Sequence, residues 1–308
     1  MKPKRIHKLT IVGLLLIGAT AGYIYSWHVR PIGKGPAGPA MPTATFSHTW
    51  SQKDFLLIGL GDSVTEGFGA RHGYSYFDRL VINPTDEFTD LRGICLQAVL
   101  PHLQHTNLAV SGSTSGEHLA QQLPRLPATD SNTVALVVIS TGGNDIIHNY
   151  GRTPPREQAM YGASWQQAEP WVTNFEKRLD LMLQKIAEHF PGGCHIFLAN
   201  IFDPTDGIGD AEHAGLPAWK DGIRIVAAYN GVIRRCAERH PFVHLVDIHS
   251  AFLGHGIHCT QFWSPHYDAK DPHYWYYSNL EDPNERGYDV IRRLFLLEMA
   301  KSVSENSK

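Results

Sequence analysis

Cysteine is scarce in this chain of 308 residues: there are four, and no two stand in a CxxC pair. A zinc ribbon and a thioredoxin-like redox motif are therefore excluded. No HExxH occurs, although seven histidines lie from His240 to His273, so the helical zinc-hydrolase motif is missing too. The acidic run Asp203 to Asp210 suggests a calcium loop only superficially. Its twelfth position is Ala214, where an EF-hand needs a glutamate. Basic excess is lacking as well: 27 Lys and Arg stand against 30 Asp and Glu. Without such an excess nothing draws the chain to phosphate backbones, and no nucleic-acid partner is expected. No internal repeat is present. Neither a metal nor an organic cofactor is called for.

What is there begins with Lys2, Lys4, Arg5 and Lys8, followed by an apolar run over residues 9–27. Nineteen such residues approach the length that spans a bilayer as a helix. Basic residues before the run keep the N-terminus in the cytoplasm. The expected organisation is a basic cytoplasmic segment (1–8), a signal anchor (9–27), a Pro/Gly-rich linker (28–45) and one domain (46–308). Ala19-Thr20-Ala21 offers a signal-peptide cleavage site as the competing reading, but apolar character continues to Trp27. Either way the domain is placed outside the cytoplasm. Residues 31–42 (PIGKGPAGPAMP) read as a stiff, unfolded spacer. In an exported domain the four cysteines could pair in three ways; buried free thiols are the alternative, and the sequence does not choose.

Beyond residue 46 the chain alternates short apolar runs (55–60, 106–110, 134–140, 195–200, 243–248) with longer amphipathic ones (115–123, 166–190, 221–240, 285–302). Runs of that length, bounded by turn residues, read as five buried parallel strands. Alternation with helices implies an α/β sandwich. Such sheets bind ligands beyond the carboxyl ends of their strands, and three polar clusters fall there.

Gly61-Asp62-Ser63 follows the first run. A serine at a strand-to-helix turn is exposed, and the helix N-terminus offers amide donors beside it; helix capping is the plainer role for the same residue. Ser111-Gly112-Ser113 follows the second run and could turn a glycine N–H toward a ligand; an ordinary glycine turn is the alternative. Gly142-Gly143-Asn144-Asp145 follows the third. An asparagine side chain there can hold an oxyanion, an interaction worth roughly 3 kcal/mol in a transition state.

Together, in this order, the three clusters resemble the SGNH (GDSL) hydrolases, over about residues 55–300. The resemblance implies a flavodoxin-like three-layer α/β/α sandwich with a five-stranded parallel sheet. It implies hydrolysis of a carboxylic ester, a glycan acetyl or a lipid acyl group, through an acyl-enzyme. Ser63 would be the nucleophile, with the Ser63 and Gly112 amides and the Asn144 side chain as oxyanion donors.

The pattern breaks at the base. The family closes with Asp-x-x-His-Pro-Asn-x-x-Gly-Tyr before its last helix. Here the Pro283-Asn284-x-x-Gly287-Tyr288 half is intact, but Asp282 stands at the histidine position and Asn279 at the aspartate position. A serine hydroxyl needs a base within hydrogen-bond reach. His273, in Asp271-Pro272-His273, is the expected base, oriented by Asp282 or Asp271. Other readings are Asp282 itself as a weak base, another histidine such as His258 or His266, or a glycan- or lipid-binding relative that no longer catalyses. The segment 150–171, with Met160, Tyr161, Trp165 and Trp171, reads as an inserted loop beside Asn144.

Overall fold

The computed structural model describes residues 3–304. Helix α1 (Pro3–His28) comes first. Its stretch Thr10–His28 is long and apolar enough to cross a membrane and is only 6% buried. Lys2 of the expected basic segment lies outside the described residues.

The domain then alternates strand and helix: β1 (Asp54–Gly61), α2 (Ser63–Glu66), α3 (Tyr76–Val81), β2 (Leu103–Asn107), β3 (Thr133–Ser140), α4 (Gly143–Ile147), α5 (Trp165–His189), β4 (Cys194–Ala199), α6 (Gly222–Arg239), β5 (Val243–Val246) and α7 (Glu285–Met299). Among the described residues the sheet has five strands in the order β2-β1-β3-β4-β5. Every pairing is parallel. The expected fold class is the one observed. The main error lies in β2, which starts three residues earlier than residues 106–110. Its pairing aligns Phe55 with Leu103. As the edge strand it is largely exposed, so its pairing residues are polar and the apolar run that marked it lies just downstream.

Successive residues of a strand point to opposite faces, and both faces here are covered. Phe55, Leu57, Leu136, Val138 and Phe197 pack with Tyr76, Phe77 and Leu80 of α3 and with Ile291 and Phe295 of α7. Leu56, Ile58, Ala135, Val137 and Ile196 pack with Phe175 and Leu179 of α5 and with Tyr229 and Ile233 of α6. That two-sided burial explains why the strands read as unbroken apolar runs. Helix α5 starts on a capping box in which Ser164 and Gln167 satisfy each other's amides. The four cysteines are unpaired.

The segment expected to be an unfolded spacer is instead held against the domain. Tyr274 donates its amide to the Pro31 carbonyl at 2.8 Å. Arg286 donates to the carbonyls of Lys34 and Gly35, both at 2.9 Å. The Ala37 amide donates to Asp289 at 3.1 Å, and Arg293 to the Pro39 carbonyl at 3.2 Å. Proline and glycine leave the carbonyls of 31–39 unpaired within the segment, and α7 supplies the arginines that satisfy them.

Of these, Arg293 belongs to a buried ion network. Arg79 bonds Glu87 at 2.6 Å and Asp289 at 3.2 Å. Arg292 bridges the same two carboxylates, and Arg293 bonds Asp289 at 3.1 Å. Burial pushes Glu87 up, but Arg79 and Arg292 outweigh it and hold its pKa at about 2. Because that folded-state value is depressed from 4.5, the contribution of Glu87 to stability is present above pH 4.5 and is lost as pH falls toward 2. Glu87→Gln leaves two buried guanidinium groups short of a counter-charge. Urea unfolding at neutral pH is expected to show a loss of roughly 3–5 kcal/mol, and the variant should lack that part of the acid sensitivity of the wild type.

Candidate active site

The carboxyl ends of β1 and β3 meet at a point that admits no side chain. Gly61 has φ +123°, and a Cβ there would lie 2.0 Å from the Ser140 carbonyl oxygen. The chain leaves β1 through Asp62, whose carboxylate caps α2 by accepting the Val64 amide at 3.2 Å. Ser140 donates its hydroxyl to the same carboxylate at 2.6 Å. Thr65 and Tyr76 continue this buried chain at 2.7 and 2.8 Å. Burial outweighs these hydrogen bonds and lifts Asp62 to about 6. Ser63 is thereby fixed as the first residue of α2 at the mouth of the sheet.

Gly112 and Asn144 come from the loops after β2 and β3. Gly112 sits in a left-handed turn (φ +78°) with open space where a side chain would be. Asn144 is buried and donates one Nδ2 proton to the Ser113 carbonyl at 3.0 Å. An amide nitrogen carries two protons, and Asn144 lines the same cavity as Ser63. Behind the turn, Ser113 donates to the Gly61 carbonyl at 2.9 Å. Gln122 clamps both backbone groups of Gly61, at 2.8 and 2.7 Å. His118 bridges Ser113 and Thr141, both at 2.9 Å. It is buried, and burial lowers its pKa to about 4, so it is a neutral strut at physiological pH. Neither Gln122 nor His118 was found in the sequence, where nothing separates them from ordinary helix polar residues.

Asp145 is turned away from the mouth. It accepts the Ser115 amide at 2.8 Å and pairs with Arg178 of α5 at 3.3 Å, which ties the loop after β2 to the outer helix layer.

His273 is not where the expected base should be. Its ring packs on the backbone at Gly33. Its Nδ1 bonds Asp271, and Asp271 also holds Arg286. The pair is a brace for residues 31–36, and no histidine is among the residues lining the Ser63 cavity. His258 bonds Asp210 at 2.9 Å, within the loop that follows β4. In that loop Asp203 and Asp206 accept backbone amides.

Asp282 lies near Ser63, beside the cavity-lining residues Leu280 and Glu281. Its Oδ2 accepts Asn279 Nδ2 at 2.7 Å. Its Oδ1 is buried and has no hydrogen-bond partner. Burial raises the Asp282 pKa, the Ser63 and Asn279 hydrogen bonds pull it back, and Glu66 raises it again; the net shift is upward. Glu281 lines the cavity and is lifted to about 7 by burial and by the charge of Asp282. The intact half of the closing motif positions this turn. Asn284 caps α7 through the Arg286 and Gly287 amides at 3.0 and 3.1 Å. Its Nδ2 donates to the Tyr274 carbonyl at 2.7 Å. A Cβ on Gly287 would lie 2.3 Å from the Trp275 carbonyl.

The cavity beyond Ser63 has a volume of about 140 Å³. Ile146, Tyr161, Phe202, Leu216, Trp219 and Val226 give it apolar walls. Tyr161 therefore packs inside the molecule, with its ring 4.7 Å from that of Trp219.

Comparison with known proteins speaks to the family and the fold. The model of the GDSL-like lipase/acylhydrolase family matches residues 60–290. An acetyl-xylooligosaccharide esterase mutant from Geobacillus superposes with a TM-score of 0.51 at 20% identity, covering 82% of this chain and 96% of that one. The extracellular lipase of Streptomyces rimosus gives 0.51 at 18% identity, covering 80% and 99%. These two similarities establish the shared fold. No curated protein sequence matches. With three quarters of its length under the family model, the chain belongs to the GDSL-like lipase/acylhydrolase family and is by class an ester hydrolase.

Proposed function

We propose that the chain is a membrane-anchored serine esterase in which Asp282 takes the place of the usual histidine base. This reading is supported by the nearness of the buried Asp282 carboxyl to Ser63, which counts among the influences on its pKa, and by an Asp282 Oδ1 that has no other partner. The carboxylate takes the hydroxyl proton as Ser63 Oγ bonds to the acyl carbon. The resulting oxyanion is held by the Asn144 side chain and the Gly112 and Ser63 amides. Collapse breaks the ester C–O bond, and Asp282 returns the proton to the departing alcohol. Water then attacks the acyl-serine, giving a proton to Asp282; as the acyl C–Oγ bond breaks Asp282 returns that proton to Ser63 Oγ, and the carboxylic acid leaves.

An ordinary carboxylate is a poor base for a hydroxyl. Each unit by which burial raises its pKa narrows the gap by about 1.36 kcal/mol. The substitution also keeps the local hydrogen bond. Where the family pairs an accepting aspartate with a donating imidazole, Asn279 donates and Asp282 accepts. The apolar cavity supports an acyl group longer than acetyl. The apolar, exposed Thr10–His28 stretch, preceded by basic residues, supports an anchor with the domain outside the cytoplasmic membrane.

Ser63→Ala and Asp282→Asn are expected to abolish hydrolysis of p-nitrophenyl butyrate, whereas His273→Ala retains turnover; the reverse pattern for the last two returns the base to His273. If wild type and Ser63→Ala are equally inert, the chain is a binding relative. Asn144→Ala should lower kcat about a hundredfold or more.

Asp282 must be ionised to act, and its pKa lies above 3.8. The acid limb of kcat/KM should therefore fall as pH drops, at a pH above the usual carboxylate range, and should persist in His273→Ala.

Along a series of p-nitrophenyl esters from acetate to hexanoate, kcat/KM should rise up to roughly fourfold per added CH₂, from about 0.8 kcal/mol of transfer free energy each. A preference for acetate would argue for a glycan acetyl substrate.

A further inference from the structure

The rim of the cavity touches the end of α1. The loop after β4 supplies Pro204, Thr205, Gly209, Ala211 and Leu216 to the cavity wall. Its Asp210 bonds His213 at 2.7 Å and His258 at 2.9 Å. The Trp27 ring, in the last turn of α1, lies 4.4 Å from the ring of His213 and 5.9 Å from that of His258. Arg30 donates to the His213 carbonyl at 3.2 Å. Gln261 donates to the Ser26 carbonyl at 3.1 Å, and the Thr260 hydroxyl bonds the Tyr25 and Ser26 carbonyls at 3.4 Å. Carbonyls in the last turn of a helix lack intrahelical partners, so the domain caps α1 directly.

The two residues after Gln261 are Phe262 and Trp263, 75% and 53% exposed. Their rings contact each other edge to face at 4.9 Å. Ile208, in the loop that lines the cavity, is also exposed. Aromatic side chains at the end of a spanning helix concentrate where hydrocarbon meets headgroups, because an apolar ring with a polar edge matches that boundary. Two bare rings in water, one residue away from a contact with α1, fit such a boundary.

We propose that Trp27, Phe262, Trp263 and Ile208 form one face that sits in the interfacial layer of the bilayer crossed by α1, and that the enzyme takes its acyl ester from lipid in that leaflet. This rests on the anchor and on the Ser63 reading above.

The test uses the full chain reconstituted in phosphatidylcholine–phosphatidylglycerol vesicles. Cys95, Cys236 and Cys259 are buried, so with Cys194→Ser a single Trp263→Cys takes a nitrobenzoxadiazole label selectively. Brominated lipid should quench that label. The Phe262→Ser, Trp263→Ser double variant should hydrolyse vesicle phospholipid about tenfold more slowly while its rate on soluble p-nitrophenyl butyrate is unchanged. An unquenched label on protein that floats with the vesicles overturns the proposal, as does a wild-type rate of the double variant on vesicle lipid. Protein that fails to float removes the anchor and this proposal with it. Absence of Ser63-dependent hydrolysis on either substrate removes the esterase reading and the lipid-substrate half of this one, and label quenching still decides whether the face meets the bilayer.

Discussion

The mouth of the sheet depends on how closely β1 and β3 run at their carboxyl ends. At Gly61 the two backbones approach until no Cβ fits. The Asp62–Ser140 hydrogen bond then locks the first residue beyond β1 to the last residue of β3. With that crossing fixed, Ser63 starts α2 and Asn144 sits in α4, facing the same cavity. Gln122 reaches in from the β2 side and satisfies both polar groups of Gly61. A residue with a side chain at position 61 would separate the strands and, with them, every group that converges on Ser63.

Around that crossing the chain gathers acid rather than base. The charge of Asp282 raises Asp62 and Glu281, and that of Glu66 raises Asp282. Adjacent carboxylates do not readily ionise together, so each favours the neutral form of its neighbour and strengthens the basicity of whichever one ionises. In a family built on imidazole this offers a way for a carboxylate to approach the same task. The exchange of the histidine position for Asp282 makes sense only beside the exchange of the aspartate position for Asn279. A retained aspartate there would set two carboxylates against each other with no proton between them, while an asparagine supplies the donor that Asp282 needs.

The strands at the centre of the sheet were legible because burial on both faces makes them apolar throughout, and the long helices because each shows one apolar face. The edge strand was misplaced for the opposite reason: half its side chains meet water. The turn serine and the two glycine-rich loops were legible because φ above zero and close backbone approach restrict what can stand there. His273 misled because a histidine two residues from an aspartate reads the same whether the pair serves a nucleophile or braces a backbone. Only the third partner, Arg286, distinguishes the two roles, and its position fifteen residues away gives no signal in the sequence.

The same arginine changes what the stretch after α1 does. Twelve extended residues could carry the domain roughly 37 Å from α1 at about 3.1 Å each. Instead Arg286 and Arg293 draw residues 34–39 onto α7, and Tyr274 holds Pro31. Helix α7 begins three residues after Asp282, on the Asn284 cap. The arginines that dock the tether therefore grow from the helix that directly follows the turn holding Asp282. A domain on a free tether would sample many orientations, and its cavity would meet a surface only by chance. Docked, the segment shares one support, α7, with the turn that holds Asp282.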